Sequence, residues 1–95
     1  MAIFFGTLVM ELEVTDGRTL KDKRHVVKGL LDRIRGRFNV SAAEVEQLNT
    51  ARFATLAVAA VANDRGFVHE MLAKVMNLVE SEPRVVVLDF DTEVS

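Results

Sequence analysis

Apolar and polar residues recur along this chain with two different periods, and the order of these periods predicts its secondary structure. From Ile3 to Val14, apolar residues alternate with other residues over much of the segment, which is typical of a strand. Between Leu20 and Arg37 they recur at steps of three and four, which predicts an amphipathic helix. A second helix with a wide apolar arc follows Asn63-Asp64 and stops at Pro83.

Three further segments are predicted to be strands: Asn39–Val45, Phe53–Ala62 and Arg84–Val94. The order is then β-α-β-β-α-β, and with right-handed crossovers this is the ferredoxin-like split βαβ arrangement. We expect an α+β fold in which two helices cover one face of a four-stranded antiparallel sheet. No linker, repeat or low-complexity segment divides the chain, so residues 1–95 are predicted to form a single domain.

The uncovered face of this sheet is predicted to be partly apolar, although a face in solvent is expected to be polar. Its apolar part carries Phe5 and Val9 from the first strand and Val85 and Val87 from the last, beside alanines of the third strand. A patch of this size favours burial against a second subunit, so we expect a homo-oligomer such as a dimer. The alternative is a set of singly exposed apolar side chains, which are common on any surface.

The rest of the uncovered face is predicted to be acidic. Such a cluster is interpreted as a solvated edge that discourages aggregation, with a divalent-cation site as the alternative. The residues in question are Glu11, Glu13, Asp89, Asp91 and Glu93.

The net charge of −2 hides an uneven distribution of charge along the chain. The segment from Arg18 to Arg37 holds eight basic and two acidic residues, whereas the remainder holds four basic and twelve acidic residues. One basic helix is therefore expected on an otherwise acidic body.

The basic helix is the candidate binding surface for an anionic partner. At about 100° per residue, Lys21, Arg24, Lys28 and Arg35 fall within about 60° of arc, and such like charges repel one another unless a partner neutralises them. The phosphates of a nucleic acid are suited to that role. The alternative is a solvated face whose lysine and arginine stems cover the edge of the core. The predicted phosphate contacts are Arg18, Lys21, Lys23, Arg24, Lys28 and Arg35.

Residue types that carry chemistry are scarce in this sequence. The absence of cysteine excludes disulfides and thiol nucleophiles, and the isolated His25 and His69 give no expectation of a metal site. The third strand lacks the aromatic pattern on which RNA-recognition domains of this topology stack bases. An acylphosphatase, which has this size and fold, would need a glycine-rich phosphate loop that is missing, although Gly17-Arg18 and Asn49 offer partial analogues. We therefore expect neither an enzyme nor a cofactor.

The amino end lacks the basic flank of a signal peptide, and its apolar run is too short to span a membrane. A cytoplasmic location without membrane attachment is the resulting expectation.

The segment RTLKDKR, Arg18–Arg24, resembles the start of the first helix in the YlxP-like family, small bacterial proteins of unknown function (domain of unknown function family 503). The similarity continues over nearly the whole chain, although the loop Glu46–Thr50 lacks the tryptophan and the Gly-Asp pair often found there. Further matching positions are Val26, Val27, Lys28, Leu30, Leu31, Arg37–Ser41, Ala43–Val45, Asn63-Asp64, Glu80-Ser81 and Thr92-Glu93.

This resemblance implies a ferredoxin-like domain and no established activity. Members of the family are often encoded beside translation and ribosome-maturation genes, which implies RNA or a ribosomal particle as a partner. The leading hypothesis from the sequence is a non-enzymatic domain that binds such a partner through the first helix. The rival hypothesis is an oligomeric interaction module that works through the open sheet face.

Overall fold

The computed structural model describes residues 1–95 and contains six elements in β-α-β-β-α-β order. The strands form one antiparallel sheet in the order β2-β3-β1-β4, so the first and third strands are central. This is the ferredoxin-like arrangement predicted from the sequence, which is confirmed. The elements are β1 (Phe4–Val14), α1 (Leu20–Arg37), β2 (Ser41–Glu46), β3 (Phe53–Ala62), α2 (Arg65–Glu80) and β4 (Val85–Val94).

The hydrophobic core lies between the two helices and one face of the sheet. Alternate residues of β1 and β3 point into it, and Met10 and Leu56, which are paired across these strands, are fully buried. Leu30 and Ile34 of α1 and Val75 of α2 are also fully buried. Each helix therefore buries the apolar stripe that its three- and four-residue spacing predicts. Neither helix combines the length and the apolarity that a membrane crossing needs.

Both helices begin at residues that accept hydrogen bonds from first-turn amides. Thr19 and Asp22 form a reciprocal capping box on α1, with aspartate in place of the usual glutamate. The Asp64 carboxylate accepts a hydrogen bond from the Phe67 amide at 3.2 Å and caps α2. These caps determine the residue at which each helix starts, and therefore which side chains surround its amino end.

A β-bulge in β4 changes which of its residues face the core. Val85 and Val87 lie opposite Val14 and Leu12, which are buried, and the register shifts by one residue between Glu11 and Leu12. The extra residue on β4 is Leu88, and it reverses the alternation for the strand that follows. The assignment of Val85 and Val87 to the open face was therefore wrong, because both share the core-facing side with Leu12.

Candidate functional site

The predicted basic stripe of α1, formed by Lys21, Arg24, Lys28 and Arg35, is exposed along one side of the helix. Arg18 lies just before the helix and is also exposed. The structure thus keeps five of the six predicted cationic residues at the surface.

Lys23, the sixth of these residues, is completely buried. Its Nζ atom lies 2.8 Å from the Oε2 atom of Glu44 in β2. It also donates hydrogen bonds to the backbone oxygens of Gln47, at 2.6 Å, and Phe53, at 2.9 Å. The prediction that Lys23 contacts phosphate is therefore wrong, because three protein oxygens already surround its ammonium group.

Asp32 neutralises the carboxyl-terminal half of the basic stripe. Its Oδ2 atom accepts a hydrogen bond from Lys28 at 2.8 Å, and its Oδ1 atom lies 3.6 Å from an Arg35 nitrogen. The hydrogen bond from Lys28 lowers the pKa of the Asp32 carboxyl below its ordinary value. Arg35 also donates to the backbone oxygen of Ala42 at 2.6 Å, which ties it to β2.

Three of the predicted residues have no carboxylate within ion-pair distance, and we call Arg18, Lys21 and Arg24 the free cations. They lie around the amino end of α1, where basic side chains oppose the helix dipole. Their local arrangement is unfavourable on its own, so an anion from outside the chain would stabilise it.

The two backbone amides just before this helix are, however, already occupied. The Oδ2 atom of Asp22 accepts hydrogen bonds from the backbone amides of Arg18, at 3.0 Å, and Thr19, at 3.2 Å. These two bonds lower the pKa of the Asp22 carboxyl. The carboxylate takes the position that an external anion would need at those amides. Any anion bound here would therefore rely on the free cations and not on the Arg18 and Thr19 amides.

The open sheet face contains an exposed apolar pair at one end. Phe5 of β1 and Val61 of β3 are register partners, and 61% and 62% of their surfaces are exposed. We call these two residues the apolar knob. Phe5 belonged to the predicted interface, whereas Val61 did not, although the alternation of β3 with Ala57 and Ala59 was a signal that could have revealed it.

A shallow depression of about 190 Å³ lies beside the apolar knob on the same face. Ala57 and Ala59 of β3 form its centre because their side chains end at the β-carbon, and Val9 of the predicted interface lies opposite Ala57. We call it the alanine depression. Its lining on the open face consists of Thr7, Ser41, Ala43, Ala57 and Ala59.

Acidic side chains occupy the β4 column of the open face, as predicted. Asp89, Asp91 and Glu93 lie opposite Glu11, Val9 and Thr7 of β1, and none of the three has an ion-pair partner. We call these three residues the acidic column.

The other two acidic residues of the predicted cluster are engaged with neighbours on β3 and just before it. Glu13 pairs with Arg52 at 2.6 Å, and Glu11 accepts a hydrogen bond from the Thr55 hydroxyl at the same distance. The carboxylates of the face do not converge on one point that could hold a metal ion.

Two comparisons of sequence relate this chain to known proteins. A family model described as a protein of unknown function (DUF503) matches residues 5–92. The uncharacterized protein YlxP of Bacillus subtilis (strain 168) is 32% identical over 80 residues, a stretch that covers 84% of this chain and 87% of that protein. The family resemblance carried by the Arg18–Arg24 segment and the blocks after it is therefore confirmed.

Two solved structures share the fold at low sequence identity. A dimeric ferredoxin-like protein of unknown function from Thermobifida fusca YX has a TM-score of 0.52 and 12% identity, covering 100% of this chain and 92% of that one. The de novo designed protein Foldit4 has a TM-score of 0.54 and 8% identity, covering 96% of each chain. At such identities the likeness concerns the fold alone.

Proposed function

This chain belongs to the DUF503 family of proteins of unknown function, and we propose that it acts as a non-enzymatic binding module that is assembled as a homodimer. The two subunits pack through their open sheet faces. The observation that carries this proposal is the position of the apolar knob beside the alanine depression on one face.

A two-fold axis makes these two features complementary. In such an interface the same patch is used twice, so that the knob of each subunit meets the depression of its partner. The depression measures about 190 Å³, and a cavity of about 150 Å³ is large enough for a benzene ring. The phenyl ring of Phe5 therefore matches the space that the alanines of the other subunit leave open.

The size of the face sets the expected strength of this dimer. Four strands about 4.8 Å apart, followed over the length from Phe5 to Glu13, give a face of roughly 500 Å². Stable interfaces bury about 800 Å² per partner, so we expect a dimer that dissociates on dilution. The acidic column then lies at the rim, where like charges disfavour other alignments of the two faces. The solved Thermobifida fusca protein, which shares only the fold, is described as dimeric, so this fold is compatible with a dimer.

The mass of the protein in solution tests the proposal. We expect sedimentation velocity to show a monomer–dimer equilibrium in the micromolar range, and Phe5→Glu to shift it to monomer by placing a charge in an apolar contact. Phe67→Glu is the matched control, because Phe67 is a similarly exposed phenylalanine on α2, at 53%. A wild-type protein that stays monomeric at about 1 mM, or a Phe67→Glu variant with the larger effect, would refute the sheet-face dimer.

The free cations support a second candidate function, the binding of RNA or a ribosomal particle. Lys28, Arg33 and Arg35 of the same helix have carboxylate partners. Arg37 has none but lies at the carboxyl end of α1, so the free cations are the unpaired basic residues grouped at its amino end. Three phosphate contacts would give a slope of about −2 for the logarithm of the binding constant against the logarithm of salt concentration on single-stranded RNA.

A pair of triple variants separates this function from general electrostatic attraction. Changing Arg18, Lys21 and Arg24 to glutamine should abolish co-sedimentation with purified bacterial ribosomes and reduce the salt slope for a short RNA toward zero. The control changes Arg37, Arg65 and Lys74 to glutamine, which removes the same charge elsewhere on the surface. Equal losses in both triple variants would show that the free cations form no specific site.

A further inference from the structure

The last strand, β4, lies at an edge of the sheet, beside β1 and with no strand on its other side. Its ten residues contain neither proline nor lysine, two residue types that commonly block further pairing at an exposed edge. The charges that it does carry are acidic, and these disfavour an acidic strand but not a basic one. The free backbone groups of this edge point sideways out of the sheet, whereas the apolar knob and the alanine depression lie on its open face, so a strand can add to β4 with or without the proposed dimer.

The hydrogen-bond pattern shows which backbone groups of β4 are free at this edge. The Ser95 amide donates to the Phe5 oxygen at 2.9 Å, and at the other end the Thr15 amide donates to the Arg84 oxygen at the same distance. Antiparallel pairs alternate between bonded and non-bonded positions, so Phe90 and Thr92 direct both their amide and carbonyl groups away from β1. The Phe90 amide already donates to the Oδ1 atom of Asp89 at 2.9 Å, so the groups available to an added strand are the Phe90 carbonyl and both the amide and the carbonyl of Thr92.

Apolar side chains along the same edge are unusually exposed. Val86, Leu88 and Phe90 have 47%, 53% and 57% of their surfaces exposed. A groove of about 330 Å³ lies between this strand and α2, and Phe90, Leu72 and Met76 are among the residues that line it. Apolar side chains of a strand added beside β4 would point into this groove on one face.

The opposite face of β4 carries the acidic column. Side chains alternate across a strand, so an added segment would place every second side chain beside Asp89, Asp91 and Glu93. Opposite charges across neighbouring strands stabilise the pairing, and like charges destabilise it. The edge therefore matches a segment in which basic residues alternate with apolar ones. A second copy of β4 is a poor match, because it would place two acidic columns side by side.

We propose that the β4 edge binds an extended segment of another protein, with basic and apolar residues alternating along it, by adding that segment to the sheet as a fifth strand. The Phe90 carbonyl and the amide and carbonyl of Thr92 hold the segment, the α2 groove accommodates its apolar side chains, and the acidic column pairs with its basic ones.

A ten-residue peptide of alternating lysine and valine, blocked at both ends, is the probe for this site. Titration into the full-length protein, followed by amide NMR, should shift the Phe90 and Thr92 resonances and give a saturable affinity. A peptide of alternating glutamate and valine should bind about tenfold more weakly or not at all. Equal binding of the two peptides, shifts confined to other surfaces, or no binding at about 1 mM would each overturn the proposal.

Protein variants test the two halves of the proposal separately. Thr92→Pro removes an outward amide without cutting the ladder to β1, and it should abolish binding. Asp91→Lys with Glu93→Lys should weaken binding about tenfold, whereas Glu46→Lys with Glu80→Lys, an equal change of charge elsewhere, should leave it unchanged. If Thr92→Pro fails to fold, the comparison of the two double variants still tests the proposal. Equal weakening of peptide binding in both would contradict the site. Repeating the titration on the Phe5→Glu variant, which is expected to be monomeric, should give the same affinity and so separates this site from the sheet-face dimer.

Discussion

The ammonium group of Lys23 and the carboxylate of Glu44 form a buried ion pair, with Nζ 2.8 Å from Oε2, that joins α1 to β2. The Oε2 atom has no hydrogen-bond partner beyond this contact, so it depends on the lysine for compensation of its charge. The same ammonium also holds the backbone oxygens of Gln47 and Phe53. Lys23, a residue of the basic helix, thus anchors the loop between β2 and β3 against α1.

Replacing Lys23 with methionine is expected to destabilise the protein strongly. The change keeps most of the side-chain volume but leaves the buried Glu44 carboxylate without its counter-charge, which costs about 3 kcal/mol. The backbone oxygens of Gln47 and Phe53 lose the ammonium but still accept hydrogen bonds from Thr50. Lys28→Met, which breaks the exposed pair with Asp32, should cost less than about 1 kcal/mol. Urea unfolding of both variants provides the comparison, and similar losses would show that burial adds nothing to the Lys23 contact.

The bulge in β4 leads to a prediction about two neighbouring valines. Val85 faces the core and is buried, whereas Val86 faces outward and is half exposed. Val85→Ala should cost about 2 kcal/mol of unfolding free energy, because it removes buried methyl groups and leaves a small cavity. Val86→Ala should change it by no more than about 0.5 kcal/mol. The opposite ranking in thermal or urea unfolding would place the bulge elsewhere in the strand.

The helices and the last strand show how far the sequence could predict this fold. The helices were predictable because each has an apolar stripe of regular period, and the two strands between them follow from their β-rich composition and turns. Val85 to Leu88 are four apolar residues in a row, so no polar residue shows which of them face the core and which face the open side of the sheet. One extra residue there reverses every later position, so the open-face residues of β4 were assigned wrongly at its start.

The candidate site was predictable only in part, for a related reason. Charge counting found the basic helix, but the position of Lys23 depends on oxygens from residues 44, 47 and 53, which lie far away in sequence. Helical spacing cannot reveal partners supplied by another element. Asp32 was visible four residues after Lys28, a spacing that often pairs opposite charges, and it could have reduced the expected stripe to the free cations.

Two glycines, one just before the basic helix and one within it, should have opposite effects on stability when replaced by alanine. Gly17 has a φ of +143°, and a β-carbon there would lie 2.7 Å from that of Asp22, so Gly17→Ala should strain the turn and displace the capping carboxylate. A loss of more than about 1 kcal/mol is expected. Gly29 lies within α1, and a β-carbon there would meet nothing within 4 Å beyond the adjoining backbone of its own helix. Gly29→Ala should therefore stabilise the protein by about 0.5–1 kcal/mol.

Thermal unfolding monitored by circular dichroism measures both glycine variants under the same conditions. A stabilising effect of Gly17→Ala would mean that the turn before α1 relaxes without disturbing the hydrogen bonds from the Arg18 and Thr19 amides to Asp22.

Glu82 should make the stability of the fold depend on pH in the acidic range. This buried carboxylate lies 2.7 Å from an Arg33 nitrogen and 2.9 Å from an Arg84 nitrogen. The hydrogen bonds from the Arg84 side chain, aided by its backbone amide, lower the pKa of Glu82 from an ordinary value of 4.5 to about 2. Because the folded state binds this proton less readily than the unfolded state, the stabilisation is complete above about pH 4.5 and decreases as the pH falls toward 2.

The size of this effect depends on the shift in the pKa of Glu82. The shift alone corresponds to roughly 3 kcal/mol, and solvent around the partly exposed arginines should reduce the contribution to about 2 kcal/mol. Urea unfolding at pH 6, 4 and 3 should show this loss in the wild-type protein, while Glu82→Gln should be less stable at pH 6 and depend less on pH. Some dependence will remain in the variant, because the carboxyls of Asp22 and Asp32 also have lowered pKa values. If Glu82→Gln and the wild-type protein lose stability in parallel as the pH falls, the pair between Glu82 and its two arginines does not control the acid response.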